Sequence, residues 1–219
     1  MSTISIARAY DAPSWWYDLR GLFILTFSYR TGLGGQVRAF GEHIGDRHLE
    51  VAIGSGSLFE LVVAWRRLRG RGQPKRVVGF DLAPSMLAGA KKRFARTPWM
   101  ELAETDVAAL PWADASFDSA NAANCVHCFP DVDAALHELA RVLRPGGTLV
   151  LNALLHPRGG AWGQKIASAI NTWGTAKGIL KSPFDRGTII AQIQSAGFTI
   201  DEATTSGNAL TVVARKGAL

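Results

Sequence analysis

Apolar and polar positions along the 219-residue chain change period repeatedly. Short apolar runs, many of them β-branched, alternate with longer stretches whose apolar residues recur every three or four positions, the marks of strand and helix. Leu49–Ile53 reads as a strand. Leu58–Leu68 reads as a helix that ends in the glycine-rich, basic stretch 70–73. Arg76–Phe80 is a second strand and Pro84–Arg96 a second helix, with Pro84 in the first turn, where its missing N–H breaks no bond. Met100–Ala103 is a short third strand, Phe117–Ala123 a fourth, Val132–Leu143 a helix and Thr148–Leu155 a fifth strand. Gly146-Gly147 ends that helix and turns into the strand. Thr188–Ser195 is a further helix, stopped by Gly197, and Phe198–Thr204 and Ala209–Ala214 form a closing hairpin around Ser206-Gly207-Asn208.

Strands that alternate with helices imply an α/β fold: a doubly wound, mostly parallel seven-stranded sheet with helices on both faces and an antiparallel last strand from the hairpin. Residues 1–45 lie outside the alternation and are expected to form an N-terminal helical cap over the carboxyl edge of the sheet, where such folds bind ligands. Residues 46–219 form the sheet domain. Within it, the glycine-rich, irregular segment 158–182 reads as a lid insertion.

The stretch "LEVAIGSGSLFELV" (49–62) runs from strand to helix through Gly54 and Gly56, with the acidic Glu50 inside the strand. Glycines there allow a tight turn and a close backbone approach to a ligand. A dinucleotide fingerprint needs a third glycine where this chain has Phe59, and a phosphate loop needs Gly-Lys-Ser/Thr, which is missing. A plain strand-to-helix turn would also use these glycines. Downstream, "VVGFDLAPSML" (77–87) ends a strand on Asp81, 25 residues beyond Gly56, where a carboxylate faces the crevice and can accept from ribose hydroxyls. Asp81 as the N-cap of the next helix, and "ETDVAALPW" (104–112) as a surface turn, are the plainer alternatives.

Taken with "ASFDSANAANCVHCFPD" (115–131) and "ELARVLRPGGTLVL" (138–151), these segments resemble, in order and over about half the chain, the class I S-adenosylmethionine-dependent methyltransferases, in particular the small-molecule ubiquinone/menaquinone group. The resemblance implies a Rossmann-like methyltransferase fold and S-adenosylmethionine as cofactor. It places Glu50, Ala52, Gly54 and Gly56 in the first motif, with Ala52 in the place of its first glycine. There Glu50 organises the loop amides and the cofactor's amino group. Asp81 would hold the ribose, Leu82 and Met86 the adenine side, Asp106 the adenine amino group and the Val107 N–H a ring nitrogen. Asn124 would contact the methionine part or the substrate. Tyr10-Asp11 and Tyr17-Asp18 resemble the start of related enzymes, which brings Tyr17 to the cofactor. His127, after the fourth strand, is the candidate general base because imidazole titrates near neutral pH. It also reads as a histidine fixed by a turn, and His156 is a second candidate.

The implied activity is methyl transfer to a small, apolar or aromatic acceptor. A membrane lipid or prenylated quinol is an alternative acceptor, and a non-catalytic cofactor-binding protein, motivated by Ala52, is an alternative role. The front segment "YDAPSWWYDLRGLFILTFSYR" (10–30) is dense in aromatics: a wall of the acceptor pocket, glue for a helix, or an interfacial helix. Hydrophobic residues at 47% and charged residues at 19% suffice for a full core. The net charge of +6 is concentrated in Arg66–Arg76 and Lys91–Arg96, near helix ends where cations suit the macrodipole, and reads as solvated surface. Nucleic acid is not expected, since aromatics are not interleaved with the charges; peripheral membrane contact stays open. Cys125 and Cys128 cannot supply the roughly four ligands of a zinc site, so no metal is expected, and two cysteines with no apolar leader suit a reduced, cytoplasmic protein.

Overall fold

The computed structural model describes residues 32–156, 172 and 183–218. Tyr17, the aromatic front segment and nearly all of segment 158–182 lie outside the described residues. Helix α1 (Leu33–Glu42) leads into β1 (Arg47–Val51), followed by α2 (Ser57–Leu68), β2 (Arg76–Asp81), α3 (Pro84–Arg93), β3 (Met100–Glu104) and β4 (Phe117–Ala122). A 3-10 turn (Val126–Cys128), α4 (Val132–Val142), β5 (Leu143–Leu154), α5 (Arg186–Ser195), β6 (Phe198–Ser206) and β7 (Ala209–Lys216) complete the order. The strands form one sheet, β3-β2-β1-β4-β5-β7-β6. β7 runs antiparallel to both neighbours and all other pairings are parallel. This is the doubly wound arrangement the alternation predicts. Strand order reverses between β1 and β4, and at such a switch point the connections leave to opposite faces and open a crevice at the carboxyl ends.

The two faces of the sheet bury different side chains. Leu49, Val51, Ala120, Ala122, Leu149 and Leu151 pack against Leu136 and Leu139 of α4 and Ile189 and Ile193 of α5. Val77 and Val150 face Val37 and Phe40 of α1, Phe59 and Val62 of α2, Ala90 of α3 and Phe94 just beyond it. Burial of such side chains contributes roughly 1.5–3 kcal/mol each and holds the strand ends in place.

Among the boundaries that differ from the pattern-based expectation, three have a direct physical reason. β1 begins at Arg47 rather than Leu49, because His48 and Glu50 alternate into a buried face although both are polar. It ends at Val51 rather than Ile53, because Ala52 leaves the β region at φ +49°. β5 begins at Leu143, paired with Phe117, and segment 144–147 bulges out before Thr148 pairs with Ser119. The Arg-Pro-Gly-Gly run therefore sits inside a strand and does not separate helix from strand.

The basic stretch that begins in the last turn of α2 is only partly solvated. Arg66 is buried, and its guanidinium donates to the carbonyls of Gly41 (2.6 Å) and Gly72 (2.7 Å). Gly41 is what lets α1 approach this closely, since a Cβ there would lie 2.6 Å from the Trp65 ring. Arg69 and Arg71 stack over the same ring at 5.8 and 5.6 Å. Among the described residues no helix is long and apolar enough to cross a membrane, and no three His, Cys, Asp or Glu side chains gather where they could hold a metal ion.

Candidate functional site

The loop from β1 to α2 needs left-handed backbone three times, at Ala52 (φ +49°), Gly54 (φ +61°) and Gly56 (φ +78°). The two glycines serve different ends. A Cβ on Gly56 would lie 2.4 Å from Cε2 of Phe94, so this glycine permits loop-to-helix packing. A Cβ on Gly54 would meet no described residue within 4 Å, so among the described residues the bare backbone here borders open space. The Gly56 N–H donates to the Ile53 carbonyl at 3.0 Å, closing the turn. Arg93 donates from Nε to the Ser55 carbonyl at 3.0 Å and pairs with Glu60, holding the loop from outside. Alanine in the left-handed region costs about 1–2 kcal/mol, against about 0.5–1 kcal/mol for the extra unfolded-state freedom of glycine. Ala52→Gly is therefore expected to raise stability by up to about 1 kcal/mol, seen as a higher urea midpoint at unchanged slope. A lower midpoint would contradict this account of the loop.

Asp81, at the end of β2, joins two crevice loops. Its Oδ2 accepts the Gly54 N–H at 2.9 Å and its Oδ1 accepts the Ala83 N–H at 2.9 Å. Burial raises its pKa, while the amides of Ala83, Gly54 and Leu82 work in the opposite direction. Asp81 is not the N-cap of α3; that position is Ala83, and Pro84 follows it at the start of the helix. The bonds from Gly54 and Ala83 take one lone pair of each oxygen and leave the carboxylate further acceptor capacity. Leu82 is half-buried beside it, and Met86 is buried one turn into α3.

Beyond β3, Asp106 makes a tight turn by accepting the Ala108 N–H at 3.0 Å, with Val107 buried next to it. The Thr105 N–H reaches the Asp81 carbonyl at 3.4 Å, so the β2 and β3 ends lie side by side. The rest of this loop is fixed from α4. Arg141 donates to the carbonyls of Leu110 (2.9 Å) and Trp112 (2.8 Å), and Glu138 accepts the Leu110 N–H at 2.8 Å. Arg141 also pairs with Glu138 and Asp114, and these carboxylates push its pKa further up.

Glu50 does not reach the loop amides by any direct bond among the described residues. It is 4% exposed, and its Oε2 lies 3.0 Å from Nε2 of His48 and accepts from Nδ2 of Asn121 at 3.2 Å. Burial raises its pKa, opposed by His48 and Asn121. The far side of His48 meets Ser119 Oγ at 2.8 Å, and that oxygen also accepts the Gly45 N–H at 2.8 Å. With the Ser119 hydrogen turned to Nδ1, the network assigns the other ring hydrogen to Nε2, where it donates to Glu50.

A second polar group lies at the β4–β5 ends. Asn124 is in the left-handed region at φ +55°. Its N–H donates to Oδ1 of Asn152 at 2.5 Å, its Oδ1 accepts from Nδ2 of Asn152 at 2.7 Å, and its Nδ2 donates to Oε1 of Gln36 at 3.1 Å. His127 sits in the 3-10 turn that follows and is buried, and burial alone takes its imidazole down to about 4. That is well below the neutral range expected from sequence. Cys125 points its thiol at the Val51 carbonyl at 3.8 Å, and burial pushes its pKa well up.

The structure thus brings Glu50, Ala52, Gly54, Gly56, Asp81, Leu82, Asp106, Val107 and Asn124 to the carboxyl ends of β1 to β4. Sequence reasoning missed His48, Ser119, Asn121, Asn152 and Gln36. The available signal was the pair of polar residues two apart in each central strand, His48/Glu50 and Ser119/Asn121, which share one face of the sheet.

Residues 49–151 match the methyltransferase domain family. The demethylmenaquinone methyltransferase of Thermus thermophilus is 40% identical over 118 residues, covering 53% of this chain and 51% of that protein. The 2-phytyl-1,4-naphtoquinone methyltransferase of Synechocystis is 31% identical over 161 residues, 72% of this chain and 63% of that one. The chain spans about half the length of the demethylmenaquinone relatives it matches. A solved S-adenosylmethionine-dependent methyltransferase from Mesorhizobium loti superposes with a TM-score of 0.65 at 22% identity, over 84% of this chain and 100% of that one, a likeness of fold.

Proposed function

We propose, for a chain whose residues 49–151 match the methyltransferase domain family, that it transfers a methyl group from S-adenosylmethionine to a small quinone-like or aromatic acceptor. The observation that carries this reading is the Asp81 carboxylate bonded at the switch point to the amide of Gly54, which borders open space among the described residues. A nucleoside whose tail linkage carries no phosphate fits such a loop, because the Gly54 and Gly56 amides are already bonded to Asp81 and Ile53 and a phosphate would be repelled by the carboxylate there. When bound, S-adenosylmethionine supplies a methyl group already activated by its sulfonium charge.

The residues divide the remaining work. Asp81 keeps acceptor capacity for ribose hydroxyls. Asp106 and the Val107 N–H take the adenine edge, and Leu82 and Met86 its apolar face. Glu50 takes the ammonium of the amino-acid tail. Asn124, locked by Asn152 and Gln36, shapes the wall between cofactor and acceptor. His127, with its imidazole held to about 4, stays unprotonated at neutral pH and is a weak base. Such a site suits an acceptor that needs alignment and exclusion of water more than deprotonation. The acceptor class follows from the relatives named for demethylmenaquinone and 2-phytyl-1,4-naphthoquinone. Residues 1–45 and 158–182 are assigned to the acceptor pocket; α1 supports this by bringing Gln36 to Asn124. The thiol of Cys125, which is in no disulfide, suits a cytoplasmic setting.

Calorimetric titration with S-adenosylhomocysteine is expected to show one site per chain, and incubation with labelled S-adenosylmethionine and reduced naphthoquinones to yield a methylated product. Absence of binding would remove the assignment. Binding without transfer across a broad acceptor panel would replace it with a non-catalytic cofactor-binding role.

A further inference from the structure

Glu50 and His48 are alternate residues of β1 and so face the same side, toward α1 and α2. Neither is near solvent: His48 is 0% and Glu50 4% exposed. A carboxylate in such surroundings is destabilised by lost hydration unless donors replace the water. Two donors do so here, and both go to one oxygen. Oε2 takes the Nε2 side of His48 and the Nδ2 of Asn121, and Asn121 is itself anchored by a bond to the Phe40 carbonyl at 3.2 Å. Oε1 accepts no hydrogen bond from any described residue. The carboxylate is therefore oriented by one oxygen while the other stays available.

His48 is held from both ends. Ser119 and, through it, the Gly45 amide fix its Nδ1. Its ring stacks on Phe59 at 5.9 Å with planes 11° apart, and Phe59 meets Phe94 edge-on at 6.0 Å. Phe94 is the ring that Gly56 must clear. The imidazole is thus registered against the same aromatic pair that sets the glycine loop, so Glu50 and the loop keep a fixed relation.

We infer that His48 is a positioning residue for the amino-acid end of the cofactor: through Nε2 it turns Glu50 so that the second carboxylate oxygen meets an α-ammonium group. This inference rests on the cofactor reading above and assigns its tail recognition to a buried relay, Gly45–Ser119–His48–Glu50, supported by Asn121. The ligand chemistry it recognises is a primary ammonium beside a carboxylate on a thioether-linked nucleoside. A nucleoside without that tail gains nothing from it.

The test compares two ligands of the wild-type chain and its variants by calorimetry: S-adenosylhomocysteine, and methylthioadenosine, which keeps the nucleoside and sulfur but lacks the amino-acid tail. His48→Leu is expected to weaken S-adenosylhomocysteine by roughly tenfold to a hundredfold, the effect of disturbing a hydrogen bond to a charged group. Methylthioadenosine should change by less than about twofold. His48→Gln, whose amide nitrogen falls near the position of Nε2, should restore most of the loss. An equal loss for both ligands, or no loss for either, overturns the inference, as does failure of His48→Gln to differ from His48→Leu. Should His48→Leu not fold, Asn121→Ala removes the other donor to the same oxygen and must show the same split between ligands. A wild-type chain that binds methylthioadenosine but gains nothing from the tail overturns this inference alone. One that binds neither nucleoside overturns the cofactor assignment with it.

Discussion

Asp81→Ala is expected to weaken S-adenosylhomocysteine binding by about 1.5–3 kcal/mol, or roughly tenfold to more than a hundredfold, and to destabilise the fold by about 1–3 kcal/mol. The two losses have separate causes. Affinity falls because the ribose hydroxyls lose a charged acceptor. Stability falls because the Gly54 and Ala83 amides, now bonded at 2.9 Å each, lose their partners. Part of that loss is offset, since removing a carboxylate whose pKa is raised by burial also removes its desolvation cost. Asp81→Asn is informative because it is nearly isosteric. Its amide can present only one acceptor oxygen, so its NH2 must face either the Gly54 N–H or the Ala83 N–H, donor against donor. The asparagine variant should therefore stay close to alanine in urea midpoint and should not recover affinity. An unchanged calorimetric affinity in Asp81→Ala would dissociate the β2 end from ribose binding and take the cofactor assignment with it.

Gly56→Ala is expected to cost about 2–5 kcal/mol of stability, by two additive routes. A Cβ at φ +78° is strained by roughly 1–2 kcal/mol. The same Cβ would sit 2.4 Å from the Phe94 ring, an overlap that relaxes only if the ring moves, for roughly 1–3 kcal/mol. Phe94 has little room to move, being packed with Phe59, Val62 and Ala90. Gly54→Ala is the matched control. It has the same sign of φ, +61°, but a Cβ that meets no described residue within 4 Å. Its stability loss should be limited to the backbone strain, while its effect on cofactor affinity should exceed that of the strain, because the methyl group enters the space assigned to the ligand. Urea denaturation and calorimetry of the two variants together check this. Equal stability losses would mean that Phe94 does not constrain the loop.

The cost of the loop also explains what could be read from the linear chain. The alternation of strand and helix periods, the glycines at 54 and 56 and the acidic residues at 81 and 106 are local signals. Each follows from backbone sterics or from the single position where a strand ends, and the structure places all of them on the carboxyl edge. Ala52 was legible as a departure from glycine but not as a left-handed residue, since no local rule sends alanine to φ +49°. The Arg66 guanidinium read as surface because its partners, Gly41 and Gly72, are backbone carbonyls with no sequence signature.

What the chain determined alone is the class of fold and the edge at which chemistry sits, because strand periodicity, turn glycines and strand-end carboxylates depend only on neighbouring residues. What tertiary structure decided is the state of the groups at that edge. His127 was placed by sequence but its imidazole, held near 4, is a product of burial by distant elements. Glu50 acquired Asn121, and His48 acquired Ser119, only when β4 paired with β1 in the register that sets Glu50 against Asn121 and His48 against Ser119. Sequence separation hides such pairings: the partners are 71 residues apart, and only the ladder that joins the two central strands brings Asn121 to the carboxylate and Ser119 to the imidazole.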